Sequence, residues 1–126
     1  MIVSETYLLK LHREVTGLRA GWKCEFPGCP ACGKDLNPHH QFGRGYSLLF
    51  DPQYSIWLCT PHHTGERPSA HLTPNDFEII IRVANVRTAQ WFEEGERLSN
   101  VIVKNTNDIR LWWKKELLRQ RVELIK

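Results

Sequence analysis

Residues 29–71, CPACGKDLNPHHQFGRGYSLLFDPQYSIWLCTPHHTGERPSAH, contain five of the chain's six histidines and three of its four cysteines. The segment opens with the C-x2-C pair Cys29 and Cys32, and the C-x2-H pair Cys59 and His62 lies near its end. Zinc prefers thiolate and imidazole ligands in a tetrahedron, and two ligands at this spacing can bind one ion from a single tight turn. The pattern predicts a closed Cys3His structural zinc site, formed by these four residues, that joins the two ends of a hairpin.

A fourth cysteine, Cys24, lies five residues before Cys29 and has two interpretations: a further ligand or a small buried apolar residue. The chain has no apolar run of about 18 residues. We therefore expect no transmembrane helix and no membrane partner. Charges interrupt the N-terminal stretch where a signal peptide would be apolar. We therefore expect a cytoplasmic, reducing environment, in which zinc explains the cysteines better than disulfides do.

Local patterns predict a mixture of helices and short strands in one domain, as the length of 126 residues indicates. An apolar stripe predicts an N-terminal helix within residues 4–19. Residues 40–58 are the candidate hairpin, in which residues 54–58 are strand formers that lead into the second ligand pair. A capping threonine followed by proline predicts a helix over residues 73–94, with Gly95 as its end.

The C-terminal part of the chain carries the basic excess. Residues 104–126 hold seven Lys and Arg against three Asp and Glu, whereas residues 1–103 hold ten against eleven. This distribution fits a nucleic-acid contact, and it is also typical of a solvated helix face. Residues 95–106 suit either a strand or a continued helix, and a last amphipathic helix follows. Its adjacent Trp112 and Trp113 suit core packing or stacking on a base.

A second set of histidines remains after the zinc ligands are assigned: His39, His40, His63 and His71. A structural zinc site has no need of them. Neighbouring side chains of a strand point to opposite faces. One of His39 and His40 can therefore bind a metal while the other faces a substrate.

The order of these residues resembles the HNH, or ββα-metal (His-Me finger), endonucleases of the zinc-stapled type. In that family a C-x2-C pair precedes an Asp-His or His-His pair, and a hairpin leads to a second ligand pair with a metal-binding residue directly after it. The run LCTPHHTG over residues 58–65, with the later His71, is similar to phage recombination-enhancement nucleases. The resemblance covers about a third of the chain.

The resemblance implies an α+β fold with a small ββα-metal core and a zinc-stapled hairpin, flanked by N- and C-terminal helices. In this scheme residues 1–22 form the N-terminal helix, residues 23–94 the zinc-stapled core, and residues 95–126 a basic helical extension.

Carried over by position, the resemblance implies that His40 is the general base that activates a water. His39 and His63 would hold a catalytic divalent ion, with His71 as a third ligand or a phosphate contact. Imidazole ligands suit Zn2+, Mn2+ or Ni2+ alongside Mg2+. The ion would neutralise the scissile phosphate of a DNA substrate and stabilise the leaving oxygen.

One departure concerns the family's middle asparagine, which fixes the loop that holds the base. Tyr54 stands at that position, so we assign Tyr54 to the catalytic set through its hydroxyl, with a weakened site as the alternative. Arg44, Arg67, Lys114 and Lys115 are candidate nucleic-acid contacts, although Arg44 is equally typical of a surface arginine.

These patterns favour a metal-dependent DNA endonuclease. The resemblance associates it with phage or mobile-element DNA recombination or processing, with recombination or replication proteins as partners and the host cytoplasm as its location. The main alternative is a zinc-stabilised nucleic-acid-binding module without catalysis, which Tyr54 favours. A zinc-organised protein–protein adaptor is a third possibility, against which the basic tail and the His39–His40 pair argue.

Overall fold

The computed structural model describes residues 1–29, 35–65 and 68–126. In these ranges the chain is an α+β protein with five α-helices and one two-stranded antiparallel sheet. The elements are α1 (Glu5–Arg19), β1 (Asn37–His40), β2 (Ser55–Leu58), α2 (Thr60–His63), α3 (Pro74–Val83), α4 (Ala89–Ser99) and α5 (Asn107–Ile125). Among the described residues no helix combines the length and the apolar character needed to span a membrane.

The two terminal helices, α1 and α5, are present as expected. The Ser4 hydroxyl accepts a hydrogen bond from the Tyr7 backbone N–H, and the Thr106 hydroxyl caps α5 in the same way. The two helices pack against each other around one hydrophobic core. This core consists of Val3, Leu8, Leu11, Val15, Leu49, Phe50 and Leu117.

The sheet is shorter and begins earlier than the sequence predicted. Its register pairs His40 with Ser55 and His39 with Ile56, so both histidines lie inside β1. Residues 41–43, at the start of the candidate hairpin over residues 40–58, do not form a strand. The chain instead turns at Gly43, which has a φ of 86° and whose N–H donates to the His40 carbonyl.

The helix predicted over residues 73–94 is in fact two helices. Helix α3 ends at Val83, and Asn85 follows in the left-handed region with a φ of 57°. The Thr88 hydroxyl then accepts from the Trp91 N–H and starts α4. The apolar spacing continues across this corner, which is why the spacing did not reveal it.

Gly95 lies inside α4 and does not end it, so that prediction is also wrong. The Phe42 ring occupies the space where a side chain would lie at Gly95. Residues 95–99 continue the helix, and residues 101–103 form no strand.

A second hydrophobic core joins the sheet to α3 and α4. It consists of Phe26, Ile56, Leu58, Ala70, Phe77, Ile81 and Phe92. The two histidines of β1 face different cores. His39 contacts the ring of Phe77 at a centroid distance of 6.0 Å, whereas His40 stacks on His12 of α1.

Candidate metal centres and active site

The end of β2 brings Cys59 and His62 together. Helix α2 is a single turn that follows Cys59 directly, and the Cys59 carbonyl accepts from the His62 N–H at 3.2 Å. This turn places Nδ1 of His62 3.2 Å from Sγ of Cys59. The Phe26 ring stacks on the His62 imidazole at 4.0 Å and fixes its orientation.

The segment with Cys24 and Cys29 lies against the same turn. The Glu25 N–H donates to the Trp57 carbonyl, which places this segment beside β2. The Cys29 N–H donates to the Phe26 carbonyl in a turn that includes Gly28, whose φ is 71°. Both sulfur-bearing residues therefore reach the end of the sheet.

The four ligand atoms have separations that suit one tetrahedral ion. Sγ of Cys29 lies 3.7 Å from Sγ of Cys59, and Sγ of Cys24 lies 3.8 Å from Nδ1 of His62. All four ligand atoms lie within 4.8 Å of one another. Two sulfurs bound to one zinc at ~2.3 Å in a tetrahedron are about 3.8 Å apart. The cluster could therefore hold a metal ion such as zinc.

The structure places Cys24 in this ligand set, a question that the sequence left open. The Cys59 N–H also donates to Sγ of Cys24 at 3.4 Å. Cys32, which the sequence assigned to the site, lies outside the described residues. Burial raises the pKa of the Cys24 thiol, so a bound cation is needed to favour the thiolate.

Three other histidines form a second cluster: His39 of β1, His63 at the end of α2, and His71. The His71 N–H donates to the His63 carbonyl, which holds the two residues side by side. Nε2 of His63 lies 3.2 Å from Nε2 of His71, and the His39 ring lies 5.3 Å and 5.2 Å from their rings. The structure therefore brings all three predicted catalytic-metal residues together.

Metal binding requires the neutral form of imidazole, and the surroundings of His39 and His63 favour that form. Burial lowers the pKa of His39 to about 3, and the neighbouring His63 and His71 add to this effect. Burial also lowers the pKa of His63. The Gln41 side-chain oxygen lies 3.0 Å from Nε2 of His39 and fixes that ring, as partners of metal-binding histidines do.

His40 has one ring nitrogen engaged by the backbone. Its Nε2 lies 3.0 Å from the Leu49 carbonyl oxygen. A carbonyl can only accept a hydrogen bond, so Nε2 carries the proton of the neutral ring and Nδ1 keeps the lone pair. Burial lowers the pKa of His40, which favours this neutral form.

A cavity of about 250 Å3 connects His40 with the histidine cluster. Its lining includes His39, His40, His63, His71 and Arg44. Arg44 is exposed. The cavity thus combines the neutral His40 imidazole, three further imidazoles that could hold a metal ion, and the Arg44 guanidinium.

The Tyr54 side chain is not brought to the histidines. Its ring stacks on Trp91 of α4 at a centroid distance of 5.9 Å and contacts Phe42 at 6.0 Å. The following residue, Ser55, lies opposite His40 in the sheet.

The remaining predicted nucleic-acid contacts lie on α5 or outside the described residues. Lys114 lies over the Tyr7 ring, and Lys115 is exposed on the same helix. Arg67 lies outside the described ranges. Trp113 packs on the first core, whereas Trp112 is 57% exposed.

Sequence reasoning missed His12 and Gln41 and left the role of Cys24 open. His12 was detectable because it lies at helical spacing between Leu8 and Val15, on the face that α1 buries.

No family model, curated protein or solved structure matches this chain.

Proposed function

We propose that the chain is a metal-dependent DNA endonuclease of the HNH type, in which β1, β2 and α2 form a minimal ββα-metal core. The observation that carries this proposal is the shared cavity of His40 and the His39–His63–His71 cluster. Two neighbouring strand residues supply the two functions from opposite faces of β1, one as a metal ligand and the other as a base.

The proposed division of labour between the clusters follows from their ligands. Cys24, Cys29, Cys59 and His62 form a set with three thiolates that suits a closed structural zinc. The three histidines lie at an open cavity and suit a catalytic ion with room for substrate. Imidazole ligands favour Zn2+, Mn2+ or Ni2+ more than Mg2+.

His40 removes a proton from the attacking water at Nδ1 in the proposed reaction. The Leu49 carbonyl holds Nε2–H and keeps Nδ1 available as the acceptor. A divalent ion held by the histidine cluster would neutralise the scissile phosphate and stabilise the leaving oxygen. Arg44, exposed at the cavity, contacts a neighbouring phosphate.

The absence of the family's asparagine favours the rival function, a zinc-stabilised binding module without catalysis. The orientation of His40, however, depends here on the Leu49 carbonyl and not on the residue at position 54. Leu49 is itself packed into the first core and is only 2% exposed. The base therefore has a rigid support of another kind, which favours the nuclease.

The test is nicking of supercoiled plasmid by the reduced, zinc-loaded protein with Mg2+, Mn2+, Zn2+ or Ni2+. We expect His40→Ala to lower the rate by about 100-fold or more, the usual contribution of a general base. Gln90→Ala, a change on the exposed surface of α4, is the control and should cleave at the wild-type rate. Equal nicking by the wild type and His40→Ala would refute the assigned base. DNA binding without nicking in any of the metals would support the binding module.

A further inference from the structure

His12 of α1 packs directly on the proposed base. The His12 and His40 rings are stacked with their centroids 4.6 Å apart and their planes 15° from parallel. His12 is only 1% exposed, and its Nε2 lies 2.9 Å from the Ser55 hydroxyl oxygen. Ser55 is the residue that pairs with His40 across the sheet. His12 thus contacts the base through its ring and is fixed to the base's partner strand through its edge.

These contacts restrict the His40 ring in two directions. The Leu49 carbonyl holds its edge, and the His12 ring covers one face. With only one of these contacts, the His40 ring could still rotate about one axis. Together they determine which nitrogen faces the cavity of the histidine cluster.

Space for movement of the His40 ring exists beside His12. A second cavity of about 310 Å3 lies between α1 and β1, and its lining includes Leu9, His12, Arg13 and His40. His12 forms part of the wall of this cavity on the side of α1. Removing its ring would enlarge this cavity and allow His40 to rotate away from the Leu49 carbonyl.

We propose that His12, anchored by Ser55, is a positioning residue that holds His40 in the orientation of a general base. This inference rests on the proposed function, which it deepens. The pair His12–Ser55 provides from helix α1 the support that the resembling family obtains from an asparagine. The N-terminal helix is then part of the active site and not only of the core.

A neutral aromatic partner suits this role. Burial lowers the pKa of His12 to about 3, with smaller contributions from His40 and Arg44, so the stacked ring carries no charge that would repel a protonated His40. Phenylalanine would preserve the stacking surface without the bond to Ser55. Alanine would remove both contacts.

The test measures the His40 tautomer by NMR of 15N-histidine-labelled, reduced, zinc-loaded protein, and measures plasmid nicking in parallel. In the wild type and in His12→Phe we expect one tautomer, with the proton on Nε2. In His12→Ala we expect a mixture of tautomers and a kcat lower by about 10- to 100-fold, with KM changed less than twofold, as for a misplaced catalytic group. His12→Phe should recover most of the lost kcat.

Val15→Ala is the matched control for lost packing in α1. Val15 is as deeply buried as His12, one turn further along the helix, but it belongs to the first core. It should lower the melting temperature while leaving the tautomer and kcat of the folded protein unchanged. A wild-type tautomer and kcat in His12→Ala would overturn the proposal, as would His12→Phe behaving no better than His12→Ala.

Two further arms keep the outcomes separable. If His12→Ala does not fold, His12→Leu fills much of the same space without the flat ring that stacks on His40, and an unchanged tautomer and kcat in that variant would overturn the proposal. If the wild type does not cut DNA, the nuclease proposal fails on its own, while the tautomer comparison still decides whether His12 orients His40.

Discussion

Replacing Gly95 with alanine should destabilise the protein, although alanine is the better helix former. A Cβ at this position would lie 2.1 Å from Cε2 of Phe42 and 2.3 Å from its Cζ, far inside a normal carbon contact of about 3.5–4.0 Å. The Phe42 ring has little room to move because it also contacts Tyr54, Trp91 and Phe92.

The expected magnitude is the difference of two opposing contributions. Overpacking costs about 1–3 kcal/mol, and the helix propensity of alanine over glycine returns about 1 kcal/mol. We therefore expect Gly95→Ala to lower the free energy of unfolding by about 1 kcal/mol. Urea denaturation of the reduced, zinc-loaded protein, followed by tryptophan fluorescence, measures this change.

A double-mutant cycle isolates the contact with Phe42. In the Phe42→Ala background the space is open, so Gly95→Ala should stabilise the protein by about 1 kcal/mol through propensity alone. The change of sign between the two backgrounds is the decisive result. Equal effects of Gly95→Ala in both backgrounds would refute the packing explanation.

Three other predictions concern the sites directly. Cys24→Ser should lower the bound zinc to below about one ion per chain and lower the melting temperature. If this variant binds a full zinc with wild-type affinity, Cys24 is not a ligand and the predicted ligand Cys32 takes its place. His12 stays neutral in the folded protein down to about pH 3, while an unfolded histidine binds a proton near 6.5, so its contribution to the free energy of unfolding is lost as the pH falls through this window. Between about pH 5 and 6, the free energy of unfolding of His12→Phe should therefore fall less steeply with decreasing pH than that of the wild type, by up to about 1.4 kcal/mol per pH unit. Parallel curves of the free energy of unfolding against pH for the two proteins would contradict a buried, neutral His12. Arg44→Ala should raise KM for DNA several-fold and reduce the slope of log affinity against log salt by about one, whereas an unchanged slope would exclude a phosphate contact.

The sequence predicted the terminal helices and the pair Cys59 and His62 from local spacing, and the grouping of His39, His63 and His71 from the family resemblance. The stripe of α1 and the Thr106 cap of α5 are features of neighbouring residues. The second ligand pair is close in sequence and spans the single turn α2. The side chains of His39 and His40 point to opposite faces because neighbouring residues alternate along a strand.

The features that sequence reasoning missed depend on contacts between distant segments. The corner at Asn85 interrupts no apolar spacing, and Gly95 is explained by a ring from residue 42 and not by its own helix. The bond from His12 joins residues 43 positions apart, and Cys24 reaches Cys59 and His62 only because its segment pairs with Trp57. No local pattern encodes these contacts.

Metal analysis is the most direct test of the central claim that the chain has one closed and one open metal site. The reduced protein, washed with chelator, should retain about one zinc per chain and then bind about one further Mn2+ or Zn2+ with weaker affinity. His63→Ala and His71→Ala should each abolish or weaken the second binding event and leave the first zinc in place. A protein that retains no zinc after reduction and washing, or that loses both ions together in these variants, would contradict the two-site account.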